Sequence, residues 1–446
     1  MANSGAISRA ALSRIGYRST PSTSRAFATI PSKPHHRIVV VGAGTAGVTV
    51  AAQLARNAQL RKPDIAIIDP ATTHHYQPGW TLVGTGLKPL NEMSKPLASV
   101  IPPNVKHYPL NVTNFDPSNN VVKTSEGVEV SYDYLVVAPG LETNFAGVSG
   151  LTEALQDPTS AVSSIYSGET VQNVWKQIQA FKGGKAIFTQ PAGIIKCAGA
   201  PQKVLWMALS QWSRDGVRDS VDATFATGTP SMFGVAKYNA ALEEIRQERN
   251  VEGLFQHNLV AVDPKAKVAT FKNLADGGKE VQRGFDFLHV VPPQKPWDWV
   301  AKSPLADEGG WVAVDKATTQ HIKFPNVFSL GDASSLPNSK TAAAITSQTP
   351  VLIHNLLSVI NGKQPKAEYD GYASCPLLTG HNELMLCEFK YGGVPQETFA
   401  NVLGDQAEPR RVFYHLKKDF FPFVYWQGFV KGTWYGPKAF NAPKFE

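Results

Sequence analysis

The chain has 446 residues, 43% hydrophobic and 18% charged, with a formal net charge of +7. That length holds two or three domains with sizeable cores, and that balance excludes an intrinsically disordered protein. No run of about 18 uninterrupted apolar residues occurs, so no bilayer-spanning helix is expected; the three cysteines, Cys197, Cys375 and Cys387, exclude a disulfide framework, and no His/Cys cluster has metal-ligand spacing, so no metal is expected.

The first thirty residues are rich in Ser, Ala, Thr and Arg, and the first acid is Asp64. Residues 1–33 are therefore expected to be a mitochondrial transit peptide. Arg37–Val41 reads as a buried strand ending at Gly42-Ala43-Gly44-Thr45-Ala46-Gly47. Gly42 permits a tight turn, Gly44 lets backbone approach a pyrophosphate, and Gly47 lets helix pack on strand. The helix is expected over 47–57, and its free amides and dipole suit phosphates. Gly42, Gly44, Thr45, Ala46 and Gly47 are the candidate phosphate-binding residues. Ile65–Ile68 is the next strand, and Asp69 at its end lies 22 residues after Gly47, placed to accept a ribose diol.

Tyr134–Ala138 is a further buried strand. A helix over 168–181 leads to a second strand-loop-helix unit, with a strand at 186–189 and a helix at 201–212. Pro201 suits a first helical position, where no amide donor is needed. This second unit has no glycine fingerprint. Its loop reads Pro191-Ala192-Gly193-Ile194-Ile195-Lys196-Cys197, and the following strand, 223–226, ends without an acid. Both features argue against a nicotinamide there. Asn326–Asp332 reads as a strand and Thr341–Val359 as a long helix. The expected fold is α/β, with two Rossmann-like dinucleotide-binding domains. The first domain, at 34–155 and 321–370, is split by the second, at 156–320. Residues 371–446 are read as a loop-rich, aromatic region at a quinone and membrane interface.

Two segments resemble the two-dinucleotide-domain flavoproteins: Tyr132-Asp133-Tyr134-Leu135-Val136-Val137-Ala138-Pro139-Gly140 and Asn326-Val327-Phe328-Ser329-Leu330-Gly331-Asp332. That resemblance implies FAD, with Asp332 on its ribitol chain. It also implies that the helix beginning near Ala342 points its positive end at the flavin pyrimidine ring.

Ile195-Lys196-Cys197-Ala198-Gly199-Ala200-Pro201-Gln202-Lys203, Ser374-Cys375-Pro376-Leu377, Glu388-Phe389 and Pro422-Phe423-Val424-Tyr425-Trp426 resemble the eukaryotic sulfide:quinone oxidoreductases. The resemblance covers essentially the whole chain after residue 36. No cysteine precedes Cys197, so the amino-terminal redox cysteine of some bacterial relatives has no counterpart. The resemblance implies that Cys197 and Cys375 form the redox pair. Cys375 then takes the sulfur of hydrogen sulfide, and Cys197 is released as a thiolate beside the flavin. It further implies flavin contacts at Gln77 and Lys203, an adenine contact from the strand of Val112, ubiquinone as electron acceptor, and glutathione or sulfite as sulfane acceptor. Lys196, Lys203 and the helix at Pro201 are expected to favour the Cys197 thiolate. Cys387 reads as structural, and His74 and His75 as polar loop residues.

Residues 411–440 interleave Phe, Trp and Tyr with Lys. Such a segment suits attachment to a membrane surface, here the matrix face of the inner mitochondrial membrane. Pro422 is expected to divide it into two short amphipathic pieces, and Phe389, Phe420 and Phe423 are the candidate quinone residues. No nucleic-acid motif accompanies the basic charge. Two rival readings are a type II NADH:quinone dehydrogenase of the same fold and a non-catalytic FAD-bound thiol sensor.

Overall fold

The computed structural model describes residues 33–445 apart from 59, 61–63 and 158; all but the last residue of the expected transit peptide lies outside the described residues. The chain opens with β1 (His35–Val41), α1 (Thr45–Ala55) and β2 (Ile65–Ile68), followed by β3 (Lys106–Tyr108), β4 (Val112–Asp116), β5 (Val121–Thr124) and β6 (Glu129–Val137). These strands form one sheet in the order β3-β2-β1-β6-β5-β4, and Val327–Ser329 returns to pair with β6. β1 is parallel to both β2 and β6. Its Ile38, Val39, Val40 and Val41 are buried on both faces, which is why this stretch is continuously apolar. α1 starts at Thr45, two residues earlier than the periodicity suggests, because Gly44 is its N-cap.

Between these parts lies a second, five-stranded parallel sheet. Its elements are β7 (Val162–Ser163), α2 (Val171–Ala180), β8 (Gly184–Gln190), α3 (Ala200–Arg214), β9 (Val221–Thr227), α4 (Ala236–Glu248), β10 (Val251–Phe255) and, after a three-stranded antiparallel excursion, β11 (Phe287–His289). The strand order is β7-β11-β8-β9-β10. The first α/β domain is therefore split by a second one, as read from the sequence. α5 (Ala342–Ile360) packs beside α1; Thr341 caps it by accepting from the amide of Ala344. By length and apolarity α5 could cross a bilayer, but Leu352 and Leu356 are fully buried, and it serves as a core helix.

The last region departs from the loop-rich expectation. It contains a buried hairpin, β12 (Ala373–Gly380) and β13 (Glu383–Lys390), and then a helical run over 411–429. Pro422 does not divide that run. The turn before it widens, so that the amide of Phe421 reaches back to the carbonyl of Leu416, and Pro422 sits in the first turn of the next α-helical piece. A wide turn of this kind absorbs the donor and the space that proline removes.

Candidate active site

A cavity of about 630 Å³ runs between the glycine loop, the N-terminus of α5, the start of α3 and the helical run. Gly44, Thr45, Ala46, Gln77, Lys203, Asp332 and Ala342 line it. Gly42 and Gly47 support it from behind. A Cβ on Gly47 would lie 1.8 Å from the carbonyl oxygen of Gly42, and one on Gly42, where φ is +95°, would lie 2.4 Å from that of Ala138. Gly47→Ala is therefore expected to push α1 off the loop and leave the purified protein without flavin, checked by the absorbance ratio of bound flavin to protein.

Cys197 enters the cavity from the turn before α3. Its φ of +55° lies in the left-handed region that non-glycine residues rarely occupy. The turn is held because the Cys197 amide donates to the carbonyl of Lys340 at 2.8 Å and the Ala200 amide donates to the carbonyl of Cys197 at 2.8 Å. Cys375, on β12, lies behind it, 1% exposed, with the two Sγ atoms 3.6 Å apart. Gly199 makes this approach possible: a Cβ there would fall 2.5 Å from the Cys375 sulfur.

Lys203, one turn into α3 and 1% exposed, places Nζ 3.1 Å from the Cys197 sulfur. The hydrogen bond from Cys375, reinforced by the charge of Lys203, holds the Cys197 thiol well below the ordinary thiol range despite burial. The same pairing and burial push Cys375 well above it. Of the two sulfurs, Cys197, the one beside the Lys203 ammonium, is therefore the more acidic. Burial opposes the charge of Lys203, but the two sulfurs outweigh it and raise its pKa. Lys417, carried in by the helical run, also lowers Cys197; burial and the charge of Lys203 bring its own pKa down to about 7.

Several expectations are corrected. Lys196 does not support the thiolate: its Nζ donates to Gln77 Oε1 at 2.9 Å and lies 5.3 Å from the Trp80 ring centre. His74 is not a loop residue in solvent but 3% exposed, in the short strand Thr73–His75. Asp69 accepts from the amides of Ala43 at 2.6 Å and Ala71 at 2.8 Å, one on each oxygen, which leaves acceptor capacity for the expected ribose diol. Val112, on β4, pairs with Thr124 on β5; it and Asp69 lie outside the lining of this cavity, and their expected contacts with the adenine and ribose are left as expectations. Phe389 packs in the core, 6.0 Å from the Phe233 ring, and Phe423 points outward, 61% exposed; of the three quinone candidates only Phe420 lines the cavity. Cys387 is fully buried opposite Cys375 on β13, and burial raises its pKa.

The sequence reading also missed Lys340. Its Nζ donates to the carbonyl of Ser334 and lies 5.0 Å from the Trp311 ring centre, and burial brings its pKa to about 8. Burial raises the carboxyl of Asp332 on the cavity wall, while Lys340 and Lys196 counter that rise.

These residues fit a flavin dinucleotide. The N-terminus of α1 has no side-chain cap, and the space beside Gly44 where a Cβ would stand is empty. Uncapped amides at one end of the cavity suit a pyrophosphate. The carboxylate of Asp332 suits the hydroxyls of a sugar chain, and Cys197 faces the other end. In the second domain the corresponding place is filled by the chain itself. The amide of Ala192 donates to Asn258 Oδ1 at 2.9 Å, and a Cβ on Gly228 would lie 2.4 Å from the nitrogen of Ala192.

Fold and site together define an FAD-dependent oxidoreductase of the two-dinucleotide-domain class. Residues 36–187 match the family model described as pyridine nucleotide-disulphide oxidoreductase. The chain is 47% identical over 430 residues to the mitochondrial sulfide:quinone oxidoreductase of Schizosaccharomyces pombe, covering 92% of this chain and 94% of that one. It is 40% identical over 406 residues to the one of Mus musculus, covering 91% and 89%. The solved sulfide:quinone oxidoreductase of Aquifex aeolicus superposes with a TM-score of 0.71 at 20% identity, over 88% of this chain and 91% of that one, which shows a common fold. The chain belongs to the mitochondrial sulfide:quinone oxidoreductase family.

Proposed function

We propose that this protein oxidises hydrogen sulfide at the Cys197–Cys375 pair, reduces ubiquinone and passes the sulfane sulfur to a small acceptor, glutathione or sulfite. The observation that supports this best is the approach of two sulfurs 178 residues apart in sequence to 3.6 Å beside the dinucleotide cavity. In the oxidised pair, hydrosulfide attacks Cys375. A sulfur–sulfur bond forms there, and Cys197 leaves as a thiolate. The sulfur with the lower pKa is the better leaving group, and that sulfur is Cys197. Lys203 and Lys417 hold the released charge. The acceptor then takes the outer sulfur from Cys375. FAD, when bound, supplies the two-electron acceptor that links the thiols to the quinone.

The same reading assigns residues 1–33 to a transit peptide, 34–155 and 321–370 to the FAD domain, 156–320 to the second domain and 371–446 to the interface region. The helical run is assigned to the matrix face of the inner membrane. Phe420, Phe423 and Phe440 are 39%, 61% and 61% exposed, among Lys418, Lys431 and Lys438. Rings of this kind enter the headgroup layer while lysines meet its phosphates. The quinone is placed in the slot between Phe420, Phe421, Val424 and Trp434, at the cavity end nearest that surface. Phe423→Glu is expected to weaken vesicle binding about tenfold, with flavin content and thiol reactivity unchanged, because Phe423 lines no part of the cavity. Co-sedimentation with anionic vesicles measures this.

Anaerobic mixing tests the activity. Sulfide should bleach the bound flavin rapidly and NADH should not, and sulfide should sustain turnover with a soluble ubiquinone analogue. Rapid bleaching by NADH alone would return the chain to the type II dehydrogenase reading. Flavin binding without turnover would return it to the sensor reading.

A further inference from the structure

Tyr425, at the start of the last turn of the helical run, is 1% exposed and reaches the glycine loop. Its hydroxyl lies 2.6 Å from His74 Nε2 and 2.9 Å from Thr45 Oγ1. His74 Nδ1 lies 2.9 Å from the carbonyl oxygen of Ala43, which can only accept. The chain of bonds therefore has one direction. Thr45 donates to the Tyr425 oxygen, Tyr425 donates to His74 Nε2, and His74 Nδ1–H donates to Ala43. A neutral imidazole satisfies this order, and burial holds His74 below its ordinary pKa. The amide of Ala43 is bound in turn by Asp69. Both polar groups of this loop residue are thus fixed, one of them from the C-terminal run.

Two further contacts tie the same segment to the cofactor cavity. The Tyr425 ring lies 4.4 Å from that of Tyr76, next to Gln77. Beyond the run, a Cβ on Gly432 would lie 2.8 Å from the backbone nitrogen of Gln53 in α1, and one on Gly436 2.2 Å from Thr346 Oγ1 in α5. The segment therefore lies against both helices whose N-termini face the cavity, while its Phe423 points outward.

We infer that Tyr425 is a positioning residue: acting through His74, it couples attachment of the C-terminal run to a membrane with retention of FAD by the glycine loop. The inference rests on the membrane attachment proposed above. Whatever seats the run on a bilayer also seats the Tyr425 hydroxyl, and the hydroxyl fixes Ala43 and Thr45 in the phosphate-binding conformation. Deleting residues 411–446 would thus remove part of the cofactor site along with the attachment.

The test uses the full chain in apo and holo forms with mixed phosphatidylcholine–phosphatidylglycerol vesicles. Vesicles are expected to tighten FAD binding, read by flavin fluorescence, by roughly five- to tenfold, and FAD should tighten vesicle binding by the same factor, since coupling is reciprocal. In Tyr425→Phe, and again in His74→Gln, both factors should fall toward one while vesicle binding itself persists. A merely structural loss would lower the melting temperature and leave the coupling factor intact. Vesicle binding by the unsubstituted chain that is independent of FAD overturns the coupling and leaves the attachment standing. No vesicle binding at all overturns both. Full coupling retained in Tyr425→Phe overturns the role of the hydroxyl.

Discussion

Cys197→Ser and Cys375→Ser are each expected to lower sulfide-driven quinone reduction by about 10³-fold or more, with flavin content unchanged. Serine fills nearly the same volume, so neither the buried hairpin nor the turn before α3 should move. What is lost is the sulfur chemistry, because an alkoxide is neither a leaving group nor a nucleophile comparable with a thiolate at neutral pH. The double variant should be no worse than the single ones, since the two residues act as a unit. The two single variants should differ in one respect. With Cys197 gone, Cys375 loses the thiolate that accepts its proton. With Cys375 gone, Cys197 keeps Lys203 at 3.1 Å and remains a reactive thiolate. Alkylation by iodoacetamide at neutral pH should therefore remain fast in Cys375→Ser and slow sharply in Cys197→Ser. Cys387→Ser should change neither reading much, as a buried residue of the sheet.

Lys203→Met is expected to move the acid limb of the sulfide reaction up by about two pH units. Lys203 is fully buried, and its ammonium sits against the Cys197 sulfur. Removing the charge leaves a buried thiolate with less support, so the Cys197 pKa rises. Where the native rate is already level at neutral pH, the variant's rate should still be climbing, lower at pH 7 by up to about tenfold and recovering as pH increases. Lys203→Arg should restore most of the rate, since its charge does not titrate. A pH profile of flavin bleaching by sulfide checks both. A uniform loss at every pH would mean that Lys203 acts through packing.

The parts legible in the sequence were local. The glycine loop, the strand before it and the helix after it are set by residues within a few positions of each other, and their chemistry shows in the spacing. The run Lys196–Lys203 is likewise a single turn and helix start. Its resemblance to known relatives named Cys197, while the structure added that Gly199 is the gap through which Cys375 approaches. The misreadings share a different cause. Lys417 went unnoticed because it and Lys418 are neighbours of equal charge, and only the bond to the Pro78 carbonyl, far away in sequence, marks the buried one. Lys196 and Lys203 both flank Cys197, and the direction of the helix decides which one meets the sulfur. Pro422 suggested a break because a wide turn that absorbs it leaves no mark in composition. His74 looked like a surface residue because its partners, Ala43 and Tyr425, come from opposite ends of the chain.

The central claim is that sulfide sulfur lands on Cys375 while its electrons leave through the cavity that Cys197 faces. An anaerobic single turnover with sulfide, quenched by a thiol-blocking reagent and read by peptide mass spectrometry, measures this directly. The expected result is a persulfide on the Cys375 peptide while the flavin is still oxidised, with the oxidised flavin absorbance lost once an acceptor takes the outer sulfur and the Cys197–Cys375 bond re-forms. A persulfide confined to Cys197 or Cys387, or flavin bleaching that precedes any persulfide on a cysteine, would contradict it.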